Sequence, residues 1–156
     1  MRDRKHLRRL ERVTVPGTPV FYLTVCVLDR APVLPQARAA AVLVEAWRHA
    51  RRQHGWRVGR YCVMPDHVHF FASPAHDAAK RLSSFGGLWK RSTKDRLRRV
   101  VLPEFDRQDE FFDHLLRSAA SYSEKLDYVY QNPVRAGLVT DPADWPYQGV
   151  IEEITM

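Results

Sequence analysis

The hydrophobic pattern divides the chain into short apolar runs and longer amphipathic stretches. Residues 20–27, VFYLTVCV, are rich in β-branched and aromatic side chains and predict a first strand. Pro32 and Pro35 mark the turn that follows. Over 36–54 the apolar positions recur at helical spacing, and Gly55 stands where a helix stops. Residues 56–64 and 67–72 read as two strands joined through Pro65-Asp66 and closed by Ser73-Pro74. A second helix is predicted over 77–100, with Asp77 as N-cap, a weak point at Gly86-Gly87 and an end before Pro103. The pattern over 109–116 is ambiguous and favours a short strand. A third helix is predicted over 119–131, bounded by Pro133, with one more turn over 133–136 stopped by Gly137. The remainder, including Trp145-Pro146-Tyr147, is expected as an extended tail packed on the body.

The predicted order is β-α-β-β-α-β-α. Helices alternating with hairpin-linked strands point to an α+β, ferredoxin-like antiparallel sheet with helices on one face. Such a sheet can leave its second face open to carry a site. The sequence has no internal repeat, low-complexity tract or Gly/Ser linker. The expected division is a basic N-terminal arm over 1–16, ended near Pro16-Gly17, and a single domain over 17–156.

Composition narrows the class. The chain has 156 residues, of which 45% are hydrophobic and 28% charged, so wholesale disorder is excluded. No apolar run approaches the ~20 residues of a membrane span. The basic N-terminus lacks the apolar stretch of a secretory signal. Cys26 and Cys62 both fall in strand-like runs, where buried free thiols are expected, in keeping with a reducing cytoplasm. Twenty-five Lys and Arg against eighteen Asp and Glu give a net charge of +7. The excess is clustered. One cluster is the arm, with Arg4, Lys5, Arg8 and Arg9; the other holds Lys90, Arg91, Lys94 and Arg98. Stripes of this kind attract phosphate backbones, although a solvated surface serving solubility has the same composition.

Candidate chemistry lies in two segments. In Pro65-Asp66-His67-Val68-His69-Phe70-Phe71, strand alternation puts His67 and His69 on one face and Val68 and Phe70 on the other. Two imidazoles about 7 Å apart along a strand, at ~3.3 Å per residue, can converge on one divalent ion. Histidines so spaced are also found simply hydrogen-bonded at surfaces, and two ligands do not complete a site. No Cys-x-x-Cys or His-Glu-x-x-His pattern is present, which argues against a structural zinc site.

The second segment is Lys125 to Val139. Helical periodicity gives Tyr128 a common face with Gln131 and Asn132, three and four residues on. A tyrosine beside an amide can act as a nucleophile with a neighbouring cation ligand; it can equally be a core ring with its hydroxyl at the rim. If the two segments meet, the chemistry is coherent. A phenol with a pKa near ~10 is a weak nucleophile at neutral pH, and a phosphodiester is anionic. A divalent cation offsets both difficulties, and attack by tyrosine conserves the phosphodiester energy in a covalent link, which suits strand transfer. Two imidazoles and an amide suit Mg²⁺ or Mn²⁺ better than a thiolate site would.

V-M-P-D-H-V-H-F followed some sixty residues later by Y-V-Y-Q-N-P-V-R-A-G-L-V resembles the single-tyrosine HUH transposases, most of all the REP-associated tyrosine transposases. The resemblance runs from the first strand to Trp145-Pro146-Tyr147 and includes Phe111-Phe112-Asp113-His114. It implies an HUH endonuclease fold and a metal held by His67 and His69. It implies Tyr128 as the nucleophile that opens single-stranded DNA, leaving a 5′-phosphotyrosine and a free 3′-OH. Gln131 or Asn132 would hold the metal as well; Asn132 has the i+4 spacing but precedes Pro133, which disfavours helical geometry there. His114 is a further candidate, with a hydrogen-bonded histidine beside Asp113 as the alternative. The implied partner is single-stranded or hairpin DNA, the implied state a monomer or homodimer. Trp89 can be a base-stacking platform or a core anchor. A competing function is a domesticated, non-catalytic protein that binds DNA hairpins or RNA.

Overall fold

In the computed structural model the described residues are 19–26, 37–76, 82–100 and 112–155. The elements are β1 (Val20–Cys26), α1 (Ala37–His54), β2 (Trp56–Met64), β3 (His67–Pro74), α2 (Leu82–Val100), β4 (Phe112–Leu116), α3 (Ala119–Tyr130), α4 (Asn132–Arg135), a 3-10 turn at Pro142–Asp144 and β5 (Gln148–Val150). The strands form one sheet in the order β4-β1-β3-β2-β5, with every pair antiparallel. The first six elements and their sheet order are those of the ferredoxin-like arrangement. The arm over 1–16, the turn at Pro32 and Pro35, the Asp77 cap and Pro103 lie outside the described residues. Among the described residues no helix is long and apolar enough to cross a membrane.

Strand alternation gives the sheet two chemically different faces. Phe21, Leu23 and Val25 of β1 pair across with Ala72, Phe70 and Val68 of β3, and all six enter one core with Ala39, Leu43, Trp47 and Ala50 of α1 and Leu82, Phe85, Trp89 and Leu97 of α2. Within that core Trp47 and Trp89 stack at 5.6 Å, as do Trp56 and Phe85 at 5.2 Å. Trp89 is therefore a core anchor, and its ring is not available to a base. Burial of this side carries α2 through Gly86-Gly87, since packing outweighs a helix propensity deficit of about 1 kcal/mol per glycine.

The other face carries Tyr22, Thr24 and Cys26 of β1, His67, His69 and Phe71 of β3, Cys62 and Met64 of β2, and His114 of β4, as the register requires. It is not bare. Val20, Cys62, Met64, Phe71 and Leu116 form a second core with Val129 of α3 and with Trp145 and Ile154 of the C-terminal segment. The sequence expectation of an extended tail misses β5, which pairs Gln148–Val150 with Arg60–Cys62 of β2. Trp145 Nε1 donates to the Val63 carbonyl at 3.2 Å and ties the tail to the sheet.

Candidate metal and tyrosine site

The site begins at the β2–β3 turn. Pro65-Asp66 reverses the chain, so β3 starts at His67 with its imidazole on the face away from α1 and α2. His67 and His69 present their Nε2 atoms to each other at 3.0 Å. Two donors bonded to one cation at about 2.1 Å and at right angles would stand about 3.0 Å apart, so the pair has the spacing of one edge of an octahedral shell.

The opposite ring nitrogens are anchored. His67 Nδ1 lies 2.7 Å from Asp66 Oδ1. A carboxylate only accepts, so Nδ1 carries the hydrogen and the neutral ring turns a lone pair outward at Nε2. His69 Nδ1 lies 2.7 Å from Tyr22 Oη and 2.9 Å from Thr24 Oγ1. Hydroxyls donate or accept, so this ring has two tautomers open to it. With Nε2–H it donates to His67; with the hydrogen on Nδ1, both Nε2 lone pairs face the same point. The second arrangement is stable only with a cation between them. Carboxylate and hydroxyl partners behind ligating imidazoles are the usual means of fixing ring orientation at metal centres. Burial raises the Tyr22 phenol to about 12, so Tyr22 remains a neutral hydroxyl beside His69.

The helix that follows β4 supplies the remaining groups. Ser118 caps α3 through a capping box with Ser121, and Tyr122, Leu126 and Val129 turn one side of the helix onto the sheet. The helix ends at Gln131, and Asn132 opens α4 with Pro133 in its first turn, where a missing N–H costs nothing. Gly137 then adopts φ +74°, and the bonds Gly137 N–H to Val134 O (3.0 Å) and Leu138 N–H to Pro133 O (2.9 Å) close a Schellman stop. This change of direction brings Asn132 Nδ2 to 3.5 Å from His67 Nε2. An amide turned by 180° would offer Oδ1 to the same point. Gln131 stands at the end of α3 with its side chain exposed. The pre-proline position of Asn132 does not prevent a helical turn here.

His114 shares the histidine face but stands opposite Tyr22, two strands from β3. Among the described residues no third His, Cys, Asp or Glu completes a metal-binding group. The Asn132 amide is the further protein group placed to join the two imidazoles at a cation.

Tyr128 is half exposed, at 51%. Its ring is held by two cations: the Arg135 guanidinium at 3.9 Å from the centroid and the Lys125 ammonium at 5.0 Å. Lys125 Nζ also sits 5.0 Å from the Tyr22 ring, so the one ammonium links the phenol of α3 to the hydroxyl that supports His69.

The expected DNA-binding residues of α2 lie elsewhere. Arg91 is exposed and Lys94 and Arg98 half-buried on a helix that covers the far face of the sheet from the histidines. The side chain of Lys90 and the residues Arg4, Lys5, Arg8 and Arg9 are outside the described set. Together α1 and α2 bear ten Lys and Arg against Glu45 and Asp95, a net +8 that exceeds the +7 of the whole chain. Sequence reasoning alone misses Asp66, Tyr22, Thr24, Lys125 and Arg135. Of these, only Asp66, directly before the first histidine, carries a readable signal.

No protein-family model matches the chain. A REP-associated tyrosine transposase of Escherichia coli K12 is 29% identical over 105 residues, covering 64% of this chain and 60% of that protein, so the match spans three fifths of the relative's length. A Haemophilus influenzae protein provisionally given the same name is 25% identical over 123 residues, 70% of this chain and 67% of that one. Among solved structures, a REP-associated tyrosine transposase bound to a REP hairpin superposes with a TM-score of 0.67 at 22% identity, over 88% of this chain and 79% of that chain. By sequence the chain is similar to these REP-associated tyrosine transposases, and its α+β fold is similar to that of the hairpin-bound structure.

Proposed function

We propose that this chain is a metal-dependent transposase-type nuclease that nicks single-stranded DNA beside a hairpin and carries the 5′ phosphate on Tyr128. The observation that carries the reading is the meeting of His67 Nε2, His69 Nε2 and the Asn132 amide one turn beyond Tyr128. A Mg²⁺ or Mn²⁺ ion fits this donor set and would neutralise charge on the phosphodiester oxygens. Asp66, Tyr22 and Thr24 hold the imidazoles in the ligating orientation. Tyr128 Oη attacks phosphorus in line; the Tyr–O–P bond forms, and the P–O3′ bond breaks. The 3′ oxygen leaves with the electron pair and takes a proton, while the phenol's proton passes to solvent. The link is reversed when another 3′-OH attacks, which is strand transfer.

The names of the relatives support a hairpin as the DNA partner. The +8 helical layer suits its phosphates, and Lys90, Arg91, Lys94 and Arg98 contribute to that layer. The test is a labelled hairpin oligonucleotide with Mn²⁺, followed on a denaturing gel. A covalent adduct is expected that disappears with Tyr128→Phe and is strongly reduced with His67→Ala. A mobility shift with no adduct, unaltered by Tyr128→Phe, would favour a protein that binds hairpins without cutting them.

A further inference from the structure

The segment from residue 119 to the C-terminus is acidic. It holds Glu124, Asp127, Asp141, Asp144, Glu152 and Glu153 against two cations, Lys125 and Arg135. Those two are the cations found over the Tyr128 ring. Such convergence is not a consequence of sequence spacing alone. Lys125 is one turn before Tyr128, but Arg135 is seven residues after it and beyond the break at Gln131. Arg135 reaches back because α3 ends. The Tyr128 carbonyl lies in the last turn of the helix, and Arg135 Nη2 donates to it at 2.5 Å while its guanidinium plane covers the ring.

An acidic segment repels a phosphate chain. A phosphodiester has to approach the Tyr128 phenol all the same, because the proposed reaction places phosphorus there. We propose that Lys125 and Arg135 form an oxyanion-binding pair that receives the non-bridging oxygens of the phosphodiester at Tyr128 and holds the same group once it is esterified to the phenol. The inference rests on Tyr128 being the attacking group. It assigns the two cations a ligand of stated chemistry, a singly charged phosphodiester, beyond the groups that would hold the metal. The Lys125 ammonium lies between the two tyrosine rings, on the side of Tyr128 that leads to Tyr22 and His69. The Arg135 guanidinium is held by the carbonyl on an exposed residue, and it carries further N–H donors that suit a phosphodiester. Aromatic faces supply each cation with a resting position before DNA arrives.

The test has two readouts on the full chain with a short single-stranded oligonucleotide and Mn²⁺. The first is the salt dependence of binding, compared between wild type and the Lys125→Gln/Arg135→Gln double variant. Each single-strand phosphate that is no longer neutralised lowers the slope of log K against log salt by about 0.7; the pair serves one phosphodiester, so a drop of about 0.7 is expected in the double variant. The second is the rate of adduct formation at saturating DNA, expected to fall about 10²-fold in each single Gln variant, as for the loss of an oxyanion donor. Lys125→Arg, which keeps the charge, is expected to restore the rate to within a few-fold of wild type. An unchanged salt slope with a wild-type rate overturns the proposal. So does a loss of rate that Lys125→Arg fails to restore and that parallels a loss of melting temperature, since that marks a purely structural role. If wild type forms no adduct at all, the nucleophile assignment fails, and the salt slope alone still decides whether the pair binds phosphate.

Discussion

Asp66→Ala tests the metal reading without touching a ligand. Asp66 Oδ1 accepts from His67 Nδ1 at 2.7 Å, and both side chains are largely shielded, at 25% and 14% exposure. A hydrogen bond to a charged group contributes about 1.5–3 kcal/mol when shielded, and the partial exposure here argues for the lower half of that range. Removing it frees His67 to carry its hydrogen on Nε2, the atom that must face the cation. Loss of a partner behind a ligating histidine costs about 10- to 100-fold in metal affinity, and the geometry places this case near tenfold to thirtyfold. Asp66→Asn keeps an acceptor oxygen, so its loss should be about threefold. His69 provides an internal contrast. Its Nδ1 is supported by both Tyr22 and Thr24, so Tyr22→Phe should cost less than Asp66→Ala, and Tyr22→Phe with Thr24→Val should cost as much. Mn²⁺ affinity by calorimetric titration, at constant pH, reads all four variants. Wild-type affinity in Asp66→Ala, alongside abolished binding in His67→Ala, would refute the account of how the ring is oriented.

Three further outcomes follow from the same structure. Neutralising Arg91, Lys94 and Arg98 to Gln should weaken hairpin binding and flatten its salt dependence by about 0.9 for each duplex phosphate no longer neutralised, while adduct formation on a short unpaired strand persists; equal damage to both substrates would count against a phosphate-binding role for the helical layer. Gly137→Ala meets no atom within 4 Å but forces an L residue to φ +74°, so a loss of about 1 kcal/mol is expected in urea unfolding, and an unchanged midpoint would show that the turn relaxes. Burial pushes the Cys62 thiol from 9.0 up to about 12 and raises Tyr61 and Tyr122 above 10.0. Their neutral forms are favoured in the folded state, so the stability they contribute is fully present below pH 9 and is lost as pH rises towards 12. The urea midpoint should fall over that window, less steeply in Cys62→Ala, and a flat profile would be inconsistent with the burial described.

The parts of the fold that are legible in the sequence are those in which local pattern and tertiary packing agree. The β-branched run of β1, the amphipathic α1 with Gly55 behind it and the Pro65-Asp66 hairpin all fall within a residue or two of their predicted bounds. Alternation alone separates His67 and His69 from Val68 and Phe70. What is not legible depends on register. Tyr22 and Thr24 support His69 because β1 pairs with β3 in one particular alignment, which no local signal encodes. Choosing between Gln131 and Asn132 requires the turn at Gln131, where the chain changes direction and carries the later residue inward. β5 is three residues long, contains a glycine and exists because β2 offers an edge to the returning tail. Arg135 is visible in the sequence but its placement over Tyr128 is not, because the break between α3 and α4 brings the two together.

The central claim is that one cation binds between His67 and His69, next to the turn that carries Asn132 and the helix that carries Tyr128. Pulsed electron paramagnetic resonance of Mn²⁺ bound to the protein, with ¹⁵N-labelled histidine, measures it directly. The account predicts hyperfine couplings from two imidazole nitrogens, one of them lost in His67→Ala and the other in His69→Ala. Both couplings retained in either variant, or none in wild type, would contradict it.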